Sequence, residues 1–160
     1  MTFKNLGHYH VWAGERMREM VRQLDDKNFV RKVRGKSVKD LCEHMVLALE
    51  TCFFYGDNSS DESVFGKVAR FSREELMSRW QQLDVRLGRI IEEIPQGKIT
   101  VTHISEEPFD VDSLDFYLQY LLHTTHHRGQ LAATLRALGV EVLGTDYLLF
   151  LSKDAADWIH

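Results

Sequence analysis

Three histidines fall within five residues of "YLLHTTHHRGQLAATL", residues 120–135. Successive residues of a helix are rotated by about 100°. On that wheel His127 lies on the apolar face, and His123 lies one turn earlier on the same face. His126 is rotated by about 100° from His127, which predicts a position at the margin of this face or outside it. Two imidazoles four residues apart can bind one cation, so the spacing makes His123 and His127 candidate metal ligands.

Another inward histidine, His44, lies between Leu41 and Ala48 on the wheel of an earlier helical segment. A buried imidazole without a partner costs roughly a few kcal/mol, so some group must satisfy it. A divalent cation shared with His123 and His127 would do so. Hydrogen-bonded core histidines without any metal are the alternative, and the pattern alone leaves both readings open.

His10 also faces the apolar stripe of its own helix. If that helix and the one carrying His44 are antiparallel neighbours, the two histidines are separated by roughly 10 Å along the axis. That gap is too long for a shared ion, because zinc binds nitrogen at about 2.1 Å. We therefore expect His10 to be a hydrogen-bonded core residue, or to line a pocket above the metal.

Residues next to His127 allow several roles. Gln130 lies one turn away on the inner side, where it could hold an imidazole tautomer or make an ordinary structural hydrogen bond. Arg128 points away by about 100°, so we expect an exposed or salt-bridged arginine, with a substrate-anion anchor as the alternative. Gly129 lowers helix stability by about 0.8–1 kcal/mol relative to alanine, which we attribute to close helix packing.

The motif excludes one familiar class of metalloenzyme. Zinc proteases use HExxH, in which the glutamate beside the first ligand is the general base. Here the segment is "HTTHH", and Thr124 occupies that position. Glu43 is adjacent to His44 in the sequence but is rotated from it by about 100° on the helical wheel, and Glu50 is farther from His44. The sequence therefore supplies no obvious general base.

These histidines must be positioned by helices, since apolar residues recur at spacings of three and four in four long segments. The predicted helices span residues 6–24, 38–55, 72–94 and 113–138. Ser37 and the "SREE" capping box at Ser72 mark two starts, and Gly139 marks the last end. The order predicts an all-α four-helix bundle with a long crossover before the last long helix.

The connecting segments carry weaker signals. Residues 25–36 are predicted to be a loop, and "GDNSSDES", residues 56–63, is predicted to be a turn. The crossover "KITVTHISEEPFDV", residues 98–111, alternates like a strand and could form a short hairpin or a plain extended connection. The tail, residues 141–160, contains an apolar block that predicts a short C-terminal helix.

Composition bounds the remaining possibilities. A chain of 160 residues is expected to form a single domain over residues 1–160, and a formal charge of −4 argues against nucleic acid as a partner. The basic run Arg31–Lys39 is interpreted as a solvated loop. No apolar run approaches the roughly 20 residues of a membrane span, and no signal peptide is recognisable, so we expect a cytoplasmic protein. Cys42 and Cys52 are too far apart along one helix to be bridged, which predicts reduced thiols.

Three segments together resemble the DinB-like (DNA-damage-inducible) superfamily. "HTTHHRGQLAATLRALGV" is similar to its last-helix signature, which is a histidine, three intervening residues and then HRGQ, before an apolar helix that ends in leucine-glycine. "GKSVKDLCEHMVLALE" is similar to its second helix, and "GHYHVWAGERM" resembles its first helix, with Trp12 at the usual aromatic position. The resemblance covers about residues 6–150.

The resemblance implies a three-histidine metal triad of His44, His123 and His127 that binds zinc or nickel. It places His126 where the family often has tyrosine, and leaves Gln130, Arg128, His10 and Trp12 as candidate pocket residues. It also implies an up-down-down-up bundle that is often a homodimer.

Two functions follow as expectations. Characterised members of the superfamily include thiol-dependent S-transferases that use bacillithiol or mycothiol, which implies a low-molecular-weight thiol and a small electrophile as partners. The alternative is a non-catalytic metal-binding protein, acting in a stress response or binding a partner. A polar cleft beside the metal would favour the enzyme, whereas a closed site would favour the structural role.

Overall fold

The computed structural model describes residues 4–57 and 65–152. In these ranges the elements are α1 (Lys4–Arg22), α2 (Asp26–Val30), α3 (Val38–Asp57), a 3₁₀ turn (Val68–Arg70), α4 (Arg73–Glu92), β1 (Lys98–Val101), β2 (Phe109–Asp112), α5 (Ser113–Ala137) and α6 (Tyr147–Leu151). The protein is mainly helical, as predicted, and the four longest helices lie within two residues of their predicted bounds at each end.

Local signals account for the helix ends. At the start of α3 the Ser37 hydroxyl accepts a hydrogen bond from the Asp40 amide (3.0 Å), and the Asp40 carboxylate accepts one from the Ser37 amide (2.8 Å). Ser72 and Glu75 form the same reciprocal capping box at α4. Beyond α5, Gly139 adopts a left-handed φ of +85°, which ends the helix without a Cβ penalty.

One predicted loop contains a helix. Within residues 25–36 the carboxylate of Asp25 accepts a hydrogen bond from the Asn28 amide (2.7 Å), and the five-residue α2 that begins there buries Phe29. Five residues are too few for a helical period to show in the sequence. The predicted turn at 56–63 begins in the last residues of α3, and its residues 58–63 lie outside the described ranges.

The crossover forms the hairpin. β1 and β2 pair antiparallel with Ile99 opposite Val111, and Ile99 and Val101 are buried. The hairpin packs on α3 and α5, so it holds the connecting residues 102–108 beside the groove between those helices.

The long helices pack in pairs. α1 lies antiparallel on α4: Arg73 at the start of α4 donates to the carbonyl of Leu24, just past the end of α1 (2.7 Å), while His8 near the start of α1 lies 3.0 Å from Glu92 at the end of α4. A Cβ added to Gly7 would lie 2.3 Å from the carbonyl oxygen of Gly88, so glycine permits this close approach.

α3 packs against both α4 and α5. It runs parallel to α4, where Arg86 donates to Asp57 (2.6 Å), and antiparallel to α5. The core between these helices is apolar, with Met45, Leu49, Trp80 and Leu131 among its buried residues. Across the described ranges, none of the helices has both the length and the apolar character needed to cross a bilayer.

Candidate metal centre

Three histidine side chains converge at the seam between α3 and α5. The Nε2 atom of His44 lies 3.0 Å from Nε2 of His127 and 3.2 Å from Nε2 of His123. The antiparallel packing of the two helices brings His44 level with the one-turn step from His123 to His127. The predicted HxxxH pair and the distant third histidine therefore meet.

The arrangement fits a tetrahedral cation. One nitrogen from each of the three histidines lies within 4.8 Å of the other two. Zinc–nitrogen bonds of about 2.0–2.1 Å with tetrahedral angles place neighbouring ligand atoms about 3.3 Å apart, close to the observed spacings. The donor set consists only of imidazoles, which suits zinc, copper, iron or nickel.

Gln130 fixes the tautomer of His127. Its Oε1 can only accept, so the 2.9 Å contact to His127 Nδ1 requires a proton on that nitrogen. The neutral ring then presents an unprotonated Nε2 to His44. The Nε2 of Gln130 donates to Nε2 of His126 (2.9 Å). His126 is exposed, as the wheel predicted, so Gln130 connects the inner and outer histidines.

The pKa values of the three histidines are all lowered. Burial is the largest cause for each, and it lowers the pKa of His123 from about 6.5 to about 4, with His127 and His44 adding to the effect. Burial, His127 and Lys36 lower the pKa of His44. Burial also lowers the pKa of His127, although its hydrogen bond to Gln130 opposes the change. The folded protein therefore presents neutral imidazoles, the form that binds a metal.

A cavity of about 520 Å³ opens beside His44 and His123. Its walls are mainly apolar and come from α3, α5 and the hairpin, with Val101, Phe109 and Phe116 among them. The polar lining residues are Thr51, His103, Asp115, Gln119 and Tyr120.

His103 is the lining residue that sequence reasoning missed. Its ring stacks on Tyr55 with centroids 4.3 Å apart, and its Nε2 lies 3.4 Å from the hydroxyl of Tyr120. Burial lowers the pKa of His103, so a neutral ring faces the cavity. A histidine in a loop has no helical period to place it, and only the hairpin brings it near His44. Asp115, also unpredicted, adds a carboxylate to the same lining.

A comparison with protein families identifies the relationship, because the DinB family model matches residues 1–157. The chain belongs to the DinB family. No curated protein and no solved structure gives a significant match. DinB membership and the three-histidine cluster together fit a metal-binding DinB-like protein.

Other candidate pocket residues of this DinB protein lie elsewhere. His10 is buried, with Nε2 2.9 Å from Oδ1 of Asp84 on α4, so it is a core residue away from the three histidines. Trp12 packs on Phe150 with ring centroids 5.5 Å apart and lines a groove between α1 and α4. Neither residue lines the cavity beside His44.

Arg128 and Gly129 also differ from expectation. Arg128 is buried, and it donates to Nδ1 of His10 (3.3 Å) and to the hydroxyl of Thr125 (2.8 Å). The exposed alternative is wrong, because the α5 face that carries Arg128 packs against α1. The charged alternative fits better, since Arg128 lowers the pKa of the buried Asp84 carboxyl by electrostatic attraction. Gly129 is exposed, and a Cβ there would meet nothing within 4 Å, so close helix packing does not explain this glycine.

Proposed function

We propose that this DinB protein is a divalent-metal-dependent thiol S-transferase in which His44, His123 and His127 hold zinc or nickel. The observation that carries the proposal is the convergence of three neutral imidazoles at a point that opens into a cavity. Three protein ligands leave a position free for another molecule, which is the pattern of catalytic rather than structural zinc sites.

The proposed chemistry joins a low-molecular-weight thiol, of the bacillithiol or mycothiol type, to a small electrophile. A bound divalent cation lowers the pKa of a thiol that coordinates it and so supplies the thiolate. Gln130 keeps the proton of His127 on Nδ1, which leaves its Nε2 free for coordination. The thiol would lose its proton to solvent as the thiolate forms, so no separate protein base is required. The thiolate sulfur would then form the new bond to the electrophile as the leaving group of the electrophile departs.

The cavity offers the electrophile a place beside the three histidines. Val101, Phe109 and Phe116 can bury its apolar part, because removal of apolar surface from water is favourable. The His103 ring and the Tyr120 hydroxyl can donate hydrogen bonds to an oxygen of the electrophile. His103 would therefore position the electrophile. Asp115, in the first turn of α5, would favour electrophiles that carry no negative charge near it.

A non-catalytic metal-binding bundle remains the competing hypothesis. A purely structural zinc site has four protein ligands and no access for a small molecule. Among the described residues only three candidate ligands converge, and two of them line the cavity. Both facts support the enzyme over the structural role.

Metal analysis of freshly purified protein, followed by a thiol-transfer screen on a panel of electrophiles, tests the proposal. We expect about one zinc or nickel ion per chain and product formation that stops when the metal is chelated. Replacement of His103 with Ala should raise KM for the electrophile and leave the metal content per chain unchanged. A protein that binds metal at this site but transfers no thiol to any electrophile would favour the non-catalytic alternative.

The remaining family-derived properties are also proposals. Antiparallel α1–α4 and α3–α5 pairs with a parallel α3–α4 pair support an up-down-down-up bundle in one domain.

We propose a homodimer, which light scattering would contradict if the mass stayed near 18.7 kDa at micromolar concentration. We propose a cytoplasmic location, supported by the free, buried thiols of Cys42 and Cys52. Nucleic acid is not proposed as a partner.

A further inference from the structure

Another cavity lies farther along the α3–α5 seam, on the side of the candidate metal centre away from the apolar cavity, and none of the three histidines lines it. It has a volume of about 490 Å³ and lies between the 33–36 turn and the last turns of α5. Leu41, one turn before His44, and Gln130, the partner of His127, both line it. The candidate metal centre thus separates an apolar cavity from this second one.

Three cations line the second cavity: Arg34, Lys36 and Arg136. No carboxylate lines it among the described residues. Within residues 4–57 and 65–152, none of the three cations is paired with an acidic side chain. Asp40, the acidic residue nearest in sequence to Lys36, accepts the backbone hydrogen bond from Ser37 instead. The cavity therefore has uncompensated positive charge.

A tight turn holds two of these cations at the cavity. The backbones of Val33 and Lys36 exchange hydrogen bonds of 2.8 and 3.3 Å, and the two central residues have positive φ, +52° at Arg34 and +91° at Gly35. This is the pattern of a two-residue hairpin turn, in which glycine is favoured and arginine is uncommon. The exposed basic run predicted from the sequence is thus folded back so that part of it faces α5.

We propose that this cationic cavity binds the carboxylate or phosphate groups of the thiol cosubstrate. Gln130 lines the cavity and contacts His127, so the bound anion would lie on the Gln130 side of the three histidines. Guanidinium and ammonium groups bind such anions through charge-assisted hydrogen bonds, and Thr134 adds a hydroxyl to the same lining. The inference rests on the proposed function, since it assigns the thiol to one cavity and the electrophile to the other.

Anion binding to metal-free protein tests the inference without any turnover. The probes are malate, for carboxylates, and inorganic phosphate, each titrated into chelator-treated protein and followed by NMR chemical shifts. We expect the Arg34→Gln/Lys36→Gln variant to bind the preferred probe about tenfold more weakly, because two exposed charge pairs are lost. The Arg31→Gln/Lys32→Gln variant is the matched control, since it removes the same charge from the same loop but from residues that do not line the cavity.

The outcomes separate this inference from the proposed function. A selective loss in the Arg34/Lys36 variant supports the anion site, and the tighter probe identifies carboxylate or phosphate as the thiol's charged group. Equal affinity in both variants, or no binding of either probe to the parent protein, would overturn it even if thiol transfer is found. Anion binding at this cavity with no thiol transfer would instead overturn the proposed function and leave the anion site standing.

Discussion

Two groups of polar side chains, one of three histidines and one with a single histidine among charged residues, flank α5, and their polar atoms find partners in different ways. On one side His44, His123 and His127 bring neutral nitrogens together, and no carboxylate is hydrogen-bonded to them among the described residues. On the other side His10 lies beside Asp84, whose carboxylate also accepts a 2.5 Å hydrogen bond from Arg18. α5 contributes to both groups through consecutive residues: His127 contacts His44 in the first group, and Arg128 contacts His10 in the second.

The charges of the second group compensate each other. Burial opposes ionisation of Asp84, but His10, Arg18 and Arg128 together hold its pKa below the ordinary value. A fully buried carboxylate is stable only with such partners. The first group consists of neutral imidazoles. Their nitrogen lone pairs can be donated to a cation taken up from solution. An inward histidine is therefore informative only together with the partners that packing gives it.

Replacement of His127 with Ala should produce the largest difference between the two groups. We expect zinc affinity to fall by more than the roughly 10–100-fold typical of losing a group that only orients a ligand, because a direct ligand is lost. Equilibrium dialysis measures this. His126→Ala is the matched control and should retain binding, since His126 is exposed and contacts Gln130 and the edge of the His127 ring from outside the three-histidine group. The reverse result would make His126 the ligand.

Replacement of Asp84 with Asn should instead weaken the fold and spare the metal. We expect a loss of about 3–5 kcal/mol in the free energy of unfolding, because the buried Arg18 would lose its one fully buried carboxylate partner in the described residues and keep only the partly exposed Glu15. Urea denaturation measures the loss, and zinc stoichiometry should stay unchanged. Glu15→Gln is the control: it removes a partly exposed partner of the same arginine and should cost about 1 kcal/mol or less.

Replacement of Gln130 with Ala should have an intermediate effect on the metal. The variant loses the group that holds the His127 proton on Nδ1, and such losses typically lower metal affinity by about 10–100-fold. Gln130→Glu should restore much of the affinity, since its carboxylate can also accept from Nδ1. Affinity equal to that of the parent protein in Gln130→Ala would mean that packing alone orients the ring.

The smallest effect should be a pH dependence of the metal-free fold. Because the pKa of His123 is about 4 in the folded state and near 6.5 when unfolded, the unfolded chain binds more protons between these values. Stability is therefore greatest above pH 6.5 and falls as the pH drops toward 4. Urea midpoints of chelator-treated protein measure the slope, and His123→Ala should show a shallower one. An identical slope in both proteins would assign the effect to other groups.

Much of the local structure could be predicted from the sequence. Helix spacing, the Ser37 and Ser72 caps and the left-handed Gly139 depend on interactions within a few residues. The observed helix ends therefore lie close to the predicted ones. The inward orientation of His123 and His127 has the same origin, because rotation per residue is a property of one helix. The inward orientation of His44 made a cation shared with this pair one of two open readings, and the resemblance to DinB proteins favoured it.

Only the tertiary structure decided which residues meet across helices. α1 packs on α4, so His10 and Arg128 meet Asp84 in a buried charged group that no local pattern indicates. The hairpin brings His103 to the apolar cavity, and the 33–36 turn brings Arg34 toward Gln130. These contacts join residues far apart in the chain, and they are fixed by the packing of whole helices and the reach of the loops between them. The sequence by itself therefore determined the helices and the faces they present, while packing determined the partners of each face.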